Sequence, residues 1–164
     1  MQKLKVKGKN ILSGEIKISG SKNATLPILA ASILCDKKIE LKRVPLVKDV
    51  VTMCHLLKYM GSNIKINFQN KNILINNKNK KFKNIAPYSF VKTMREGIIV
   101  LGSLLARFGK AKVSLPGGCA IGTRPVDIHL FGLKKLGAKI KIKNGYIFAE
   151  AKKGLTGAQI KFPS

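Results

Sequence analysis

Acidic residues are scarce. The 164 residues carry seven Asp and Glu against 32 Lys and Arg, a formal net charge of +25. The seven are Glu15, Asp36, Glu40, Asp49, Glu96, Asp127 and Glu150, and no two form an evident acid/base pair. A reaction needing a carboxylate base has to recruit it from elsewhere. Cysteine is sparse as well: Cys35, Cys54 and Cys119 are odd in number and contain no CxxC pair. That argues against a disulfide framework and a zinc site, and makes reduced thiols the default. Neither His55 nor His129 has a partner at metal or triad spacing, so both are expected in core or helix-surface roles.

Long apolar runs are missing too. Uncharged apolar runs such as residues 97–106 are well short of the ~20 residues that a membrane-spanning helix requires. Met1-Gln2-Lys3 leads into alternating Lys and apolar residues, not a signal-peptide core. The expected location is cytoplasmic, with no membrane partner. A hydrophobic content of 45% is enough for one compact domain with a real core.

A charge of +25 suits a nucleic-acid surface, a membrane surface or an anionic small substrate. A blander cause competes, because 28 of the 32 basic residues are Lys, alongside abundant Asn and Ile, as drift toward AT-rich codons produces. The lysines alternate along strand-like runs (Lys3, Lys5, Lys7; Lys139, Lys141, Lys143) and are not gathered beside stacking aromatics. A solvated face is therefore preferred over nucleic-acid binding. Where Lys is the easy replacement, the four retained arginines, Arg43, Arg95, Arg107 and Arg124, point to a need for planar, two-pronged hydrogen bonding.

Alternation predicts strands over residues 3–7, 15–19, 38–44, 63–68, 72–76, 110–115, 138–143 and 146–151. Asn144-Gly145, between the last two, is the signature of a type I′ hairpin. Helical periodicity covers residues 24–34, 47–60, 89–108 and 125–136, with Gly61, Gly109 and Gly137 as C-cap glycines after three of them. The segment Val44-Pro45-Leu46-Val47-Lys48-Asp49-Val50, with the run from Leu56 to Ile66, is echoed by Thr123-Arg124-Pro125-Val126-Asp127-Ile128 and the run from Leu133 to Ile142. A spacing of roughly 75 to 80 residues predicts a duplicated helix-strand-helix-strand-strand unit. Repeat one covers about 20–77 and repeat two about 85–152, and a third unit begins at 155–164, so the architecture is incomplete.

Two places could carry chemistry. In Pro116-Gly117-Gly118-Cys119 paired glycines let the backbone approach a ligand and present the thiol, while Pro125 suits the first helical position. Thr123 and Arg124 then lie at a helix N-terminus that favours anions and lowers the Cys119 pKa. An inert buried thiol in an ordinary turn stands as the alternative. In Ser19-Gly20-Ser21-Lys22-Asn23, Lys22 sits in the first turn of an apolar helix, where helix-dipole logic disfavours a cation, a conflict that an anionic ligand would resolve. A solvent-pointing lysine is the competing reading. Arg95 interrupts the apolar periodicity of residues 89–108, and pairing with Glu96 would explain it.

Residues 16–31, the stretch Val91-Lys92-Thr93-Met94-Arg95, Leu105-Ala106-Arg107-Phe108-Gly109 and the loop 116–127 (PGGCAIGTRPVD) resemble the enolpyruvyl transferase family, and within it the N-terminal portion of the UDP-N-acetylglucosamine 1-carboxyvinyltransferases. The resemblance implies an α/β fold, an inside-out, barrel-like domain built from the repeated unit. Residues 1–19 would supply strands belonging to a second domain, and residues 20–164 a truncated first one. It implies transfer of enolpyruvyl from phosphoenolpyruvate to the 3-hydroxyl of UDP-N-acetylglucosamine, the first committed step of peptidoglycan synthesis, with no cofactor and no metal.

By that resemblance Lys22, Arg95 and Arg124 would hold the phosphate and carboxylate of phosphoenolpyruvate, and Asn23 would touch the sugar nucleotide. Cys119 would be the thiol that adds to phosphoenolpyruvate and is alkylated by fosfomycin, and Arg124, Pro125, Val126, Asp127 and Ile128 would bind uridine. Three cations around a dianion beside a thiol are chemically coherent. Glu96 and Gly97, where small residues are usual, and Ile99 depart from the pattern on the sugar side. The carboxylate that deprotonates the sugar hydroxyl falls in the part of the family's length that this chain lacks. Two alternatives follow: a truncated or split gene product that works only with a separately encoded C-terminal half, and a shikimate-type enolpyruvyl transferase, which lacks the Cys119 loop.

Overall fold

The computed structural model describes residues 3–9, 11–78, 81–117 and 126–163, with the side chain of Arg95 left aside. The duplicated unit is visible in its topology. In the first copy α1 (Lys22–Ala31) leads through a 3-10 turn (Ser32–Leu34) to β1 (Ile39–Leu41), α2 (Lys48–Met60), β2 (Asn63–Asn67) and β3 (Asn72–Asn76). The second copy runs through β4 (Ile85–Ala86), α3 (Tyr88–Val91), a 3-10 segment (Arg95–Ile99), α4 (Val100–Phe108), β5 (Lys110–Ser114), α5 (Asp127–Lys135), β6 (Lys139–Lys143) and β7 (Tyr146–Glu150).

The sheets repeat the same wiring. Their strand orders are β1-β3-β2 and β4-β5-β7-β6, and in each the last strand of the unit lies antiparallel between the other two. Among the described residues only β4 pairs in parallel, setting Ile85 opposite Lys112. Asn144 and Gly145 have φ of 50° and 73°, as the hairpin reading requires, and Gly61, Gly109 and Gly137 all have positive φ after their helices.

Helices form the centre and sheets the outside. α1 buries Leu26, Leu29 and Ala30, α2 buries Val50, Met53, Leu56, Leu57 and Met60, and α4 buries Val100, Leu101, Leu104 and Leu105. α1 packs against both α2 and α4. The sheets close over this cluster with alternate residues: Ile73 and Ile75 of β3 and Ile147 and Ala149 of β7 point inward, whereas Phe148 and Glu150 face out. The expected α/β architecture of repeated units is therefore present.

Four expectations need correction. Residues 3–9 and 11–19 form no strand and find no sheet partner; Leu4, Val6, Ile11, Leu12, Ile16 and Ile18 are 84% or more exposed. The strand expected over 38–44 stops at Leu41, because Arg43 takes a φ of 56° and turns the chain so that the Val44 N–H donates to the Lys71 carbonyl at 2.8 Å. The helix expected over 89–108 is broken: Met94 is extended (φ −136°, ψ 106°) and fully seated in the core, within a stretch whose β-branched Val91, Thr93, Ile98, Ile99 and Val100 weaken helix propensity. The last helix begins at Asp127 with Val126 as N-cap, not at Pro125. β4 escapes pattern reading because two residues cannot display alternation.

Candidate functional site

Ser21 caps α1, its hydroxyl accepting from the Ala24 N–H at 3.3 Å, which sets Lys22 as the first helical residue and Asn23 exposed beside it. Pro27, one turn on, has no N–H to give to the Asn23 carbonyl. Within the protein itself an anion meets Lys22. The Lys22 ammonium donates to Asp49 Oδ2 at 2.9 Å, across 27 residues of sequence. Both side chains keep about a third of their surface, 39% and 33%. Asp49 lies in the first turn of α2, where its charge also complements that helix's dipole.

The first turns of α1 and α2 thus meet over one ion pair. The echo between the repeats carried this signal: Asp49 corresponds to Asp127, which likewise occupies the first turn of α5. A cleft of about 700 Å³ opens beside the residues leading into α1, lined by Lys17, Gly20, Arg43, Val47 and Lys71 among others. Gly20 is required there, since a Cβ at that position would stand 2.2 Å from the Arg43 carbonyl oxygen. A cleft of similar size, 670 Å³, lies on the outer face of the second sheet and includes none of the predicted site residues.

Arg95 opens the 3-10 segment that packs against α1, so the backbones carrying Lys22 and Arg95 belong to neighbouring elements. The entry to the predicted loop reaches the same neighbourhood. A Cβ on Gly117 would meet the Lys92 carbonyl oxygen at 2.7 Å, so the chain there lies directly against the turn preceding Arg95. On the far side of the loop, Val126 packs partly buried against the core, Asp127 is exposed and Ile128 is 58% exposed. Cys119, Arg124 and Pro125 lie outside the described residues, as do the pairing of Arg95 and the thiol chemistry expected of the loop.

The remaining arginines part ways. Arg107, in the last turn of α4, donates to the Ile33 carbonyl, the Asp36 carboxylate and the Asn77 carbonyl, and lies over the rings of Phe82 and Phe108. Its planar fork ties the second repeat to the first, a structural use that the scarcity of Arg signals without specifying. Arg43 is exposed and serves the turn described above.

Two further titratable side chains are shifted by burial. Cys54, fully enclosed in α2, has its thiol pushed up to about 11 by burial, only partly offset by Lys58. His129 on α5 is held below its usual value by burial, and its Nε2 has no hydrogen-bond partner. Among the described residues no group of three His, Cys, Asp or Glu could hold a metal ion, and no helix is long and apolar enough to cross a membrane.

Comparison with known proteins adds a lineage to this geometry. The family model described as EPSP synthase (3-phosphoshikimate 1-carboxyvinyltransferase) matches residues 6–164. The UDP-N-acetylglucosamine 1-carboxyvinyltransferase of Pelagibacter ubique (strain HTCC1062) is 63% identical over 163 residues, 99% of this chain and 38% of that protein. That of Wigglesworthia glossinidia brevipalpis is 52% identical over 160 residues, 98% of this chain and 37% of its own length. The chain spans less than two fifths of these curated relatives. Among solved structures, the enolpyruvyl transferase NikO from Streptomyces tendae superposes with a TM-score of 0.73 at 18% identity, covering 91% of this chain and 32% of that one. The EPSP synthase from Acinetobacter baumannii gives 0.68 at 18%, covering 92% and 34%. These two likenesses establish the fold.

Proposed function

The chain belongs to the EPSP synthase (3-phosphoshikimate 1-carboxyvinyltransferase) family, and from that membership we propose that it carries one wall of an enolpyruvyl transferase site that joins phosphoenolpyruvate to the 3-hydroxyl of UDP-N-acetylglucosamine. One observation carries the choice of acceptor: 63% identity to a UDP-N-acetylglucosamine 1-carboxyvinyltransferase over 99% of the chain. The loop PGGCAIGTRPVD within that match is the feature a shikimate-type enzyme lacks.

On this reading Lys22, Arg95 and Arg124 neutralise the phosphate and carboxylate of phosphoenolpyruvate, and Cys119 is the thiol that adds to it. Asn23 and residues 124–128 hold the sugar nucleotide. The reaction is cytoplasmic and serves peptidoglycan synthesis, and with it cell shape and division. The base that takes the sugar proton comes from a further portion of polypeptide, because the acids here are few and Asp49 is engaged with Lys22. Alone, the chain is expected to release no phosphate.

A chimera tests this directly. Residues 1–164 replace the matched portion of the Pelagibacter ubique relative, and phosphate release is followed with each acceptor. The expected result is release that requires both phosphoenolpyruvate and UDP-N-acetylglucosamine, and a fosfomycin mass adduct confined to Cys119. A folded chimera that uses shikimate 3-phosphate instead, or that is alkylated elsewhere, overturns the proposal.

A further inference from the structure

The Lys22–Asp49 pair has a role beyond dipole compensation. We propose that Asp49 is an anionic placeholder: its carboxylate occupies the position on Lys22 that the phosphate of the substrate takes, and must yield that position for the substrate to bind. The inference rests on the proposed role of Lys22 as a phosphate-binding cation.

Positive potential accumulates at this point from several sources. Lys22 is in the first turn of α1, Lys48 and Asp49 are the first two residues of α2, and the free N–H groups of both helix starts add partial positive charge. Asp49 is the acid that answers it, at 2.9 Å from the Lys22 nitrogen. The other charged residues of the adjoining cleft, Lys17, Arg43 and Lys71, are all basic. Two helix starts, Lys22 and Lys48 thus surround one described carboxylate, beside a cleft whose own charges are basic, a setting that favours an anion.

The strength of the pair suits an exchange. An ion pair with about a third of each side chain exposed is screened by solvent and weak, enough to hold the ammonium in place and little enough for a dianion to displace. A buried pair would be locked. Asp49 therefore acts as a positioning residue, keeping Lys22 extended toward the site while discouraging stray anions.

Acetylation of the Pelagibacter ubique chimera described above, in which the rest of the site is present, by a lysine-reactive reagent, read residue by residue by mass spectrometry, tests the exchange. The readout is the concentration of inorganic phosphate, and separately of phosphoenolpyruvate, that halves the Lys22 labelling rate. Asp49→Asn removes the charge and keeps the shape, and is expected to lower that concentration by about three- to tenfold. Asp49→Glu keeps the charge and is expected to stay near the unsubstituted chain. An unchanged or raised half-protecting concentration in Asp49→Asn, with protection still present, overturns the placeholder role alone. Absence of protection in every variant overturns the role assigned to Lys22 itself, and this inference with it. Equal shifts in Asp49→Asn and Asp49→Glu would indicate a purely structural residue and likewise reject it.

Discussion

Arg107→Met isolates the joint between the two repeats. The substitution preserves the apolar stem and deletes the guanidinium, which donates to two carbonyls, Ile33 and Asn77, belonging to residues with no exposed surface, and to the Asp36 carboxylate. Hydrogen bonds from a charged donor contribute about 1.5–3 kcal/mol each, and water has poor access to either carbonyl to replace them. Asp36 is 74% exposed, so its ion pair adds no more than about 1 kcal/mol. The expected loss is about 3–7 kcal/mol, which for a chain of this length lowers the melting temperature by roughly 10–20 °C. Thermal unfolding followed by far-UV circular dichroism measures it, with urea titration as an independent estimate. Asp36→Asn should fall within about 1 kcal/mol of the unsubstituted chain. If Arg107→Met falls there too, or if Asp36→Asn is equally damaging, the carbonyl contacts do not hold the repeats together and the reasoning fails.

Gly117→Ala forces a Cβ to 2.7 Å from the Lys92 carbonyl oxygen, so the two backbones must separate. The expected cost is about 1–3 kcal/mol in chemical denaturation, and a cost below about 0.5 kcal/mol would show that this approach is loose. The raised Cys54 pKa makes the native state hold a proton that the unfolded chain releases, so stability should fall as pH rises from about 9 to about 11. Cys54→Ala should flatten that slope, and at pH 8 a thiol reagent should label Cys35 well before Cys54. His129 has the opposite sign: its depressed pKa means stability is present above about 6.5 and lost as pH falls below it. His129→Gln should remove that acid-side slope in pH-dependent unfolding. Replacing Leu4, Val6, Ile16 and Ile18 together by Ser should leave the melting temperature within about 1 °C, because these side chains are 84–99% exposed, while reducing self-association in sedimentation.

The repeat was legible because its punctuation is chemical. Gly61, Gly109 and Gly137 end helices where a left-handed residue is needed, and Asn144-Gly145 closes a hairpin for the same reason. The N-terminal alternation, which by resemblance belongs to a second domain, forms no strand here because period two describes a strand only where a partner exists, and Lys3 to Lys7 join no sheet among the described residues. The helix expected over 89–108 misled because an apolar run cannot reveal that Met94 would leave the helix to fill the core. Residue types also hide use: Arg107 and Arg124 look alike in a Lys-rich chain, and only tertiary contacts show the first engaged with the fold.

Lys22 shows how local rules can locate a site before its contacts are known. A cation in the first turn of a helix violates dipole preference, and a violation persists in a folded protein when something else compensates it. Asp49 compensates it here, yet Asp49 would satisfy α2 equally well without reaching across to α1. The duplicated unit makes the difference visible. Both repeats begin their second helix with an acid, Asp49 or Asp127, so the acid belongs to the unit, whereas the lysine facing it belongs to the first copy. In the second copy the counterpart of α1 is the 3-10 segment that opens on Arg95 and runs into α4, and Asp127 is exposed. The acid in the first turn of the second helix thus recurs in both copies as part of the unit, and in the first copy it reaches across to α1 to hold Lys22 at 2.9 Å, a contact that the dipole of α2 alone does not require.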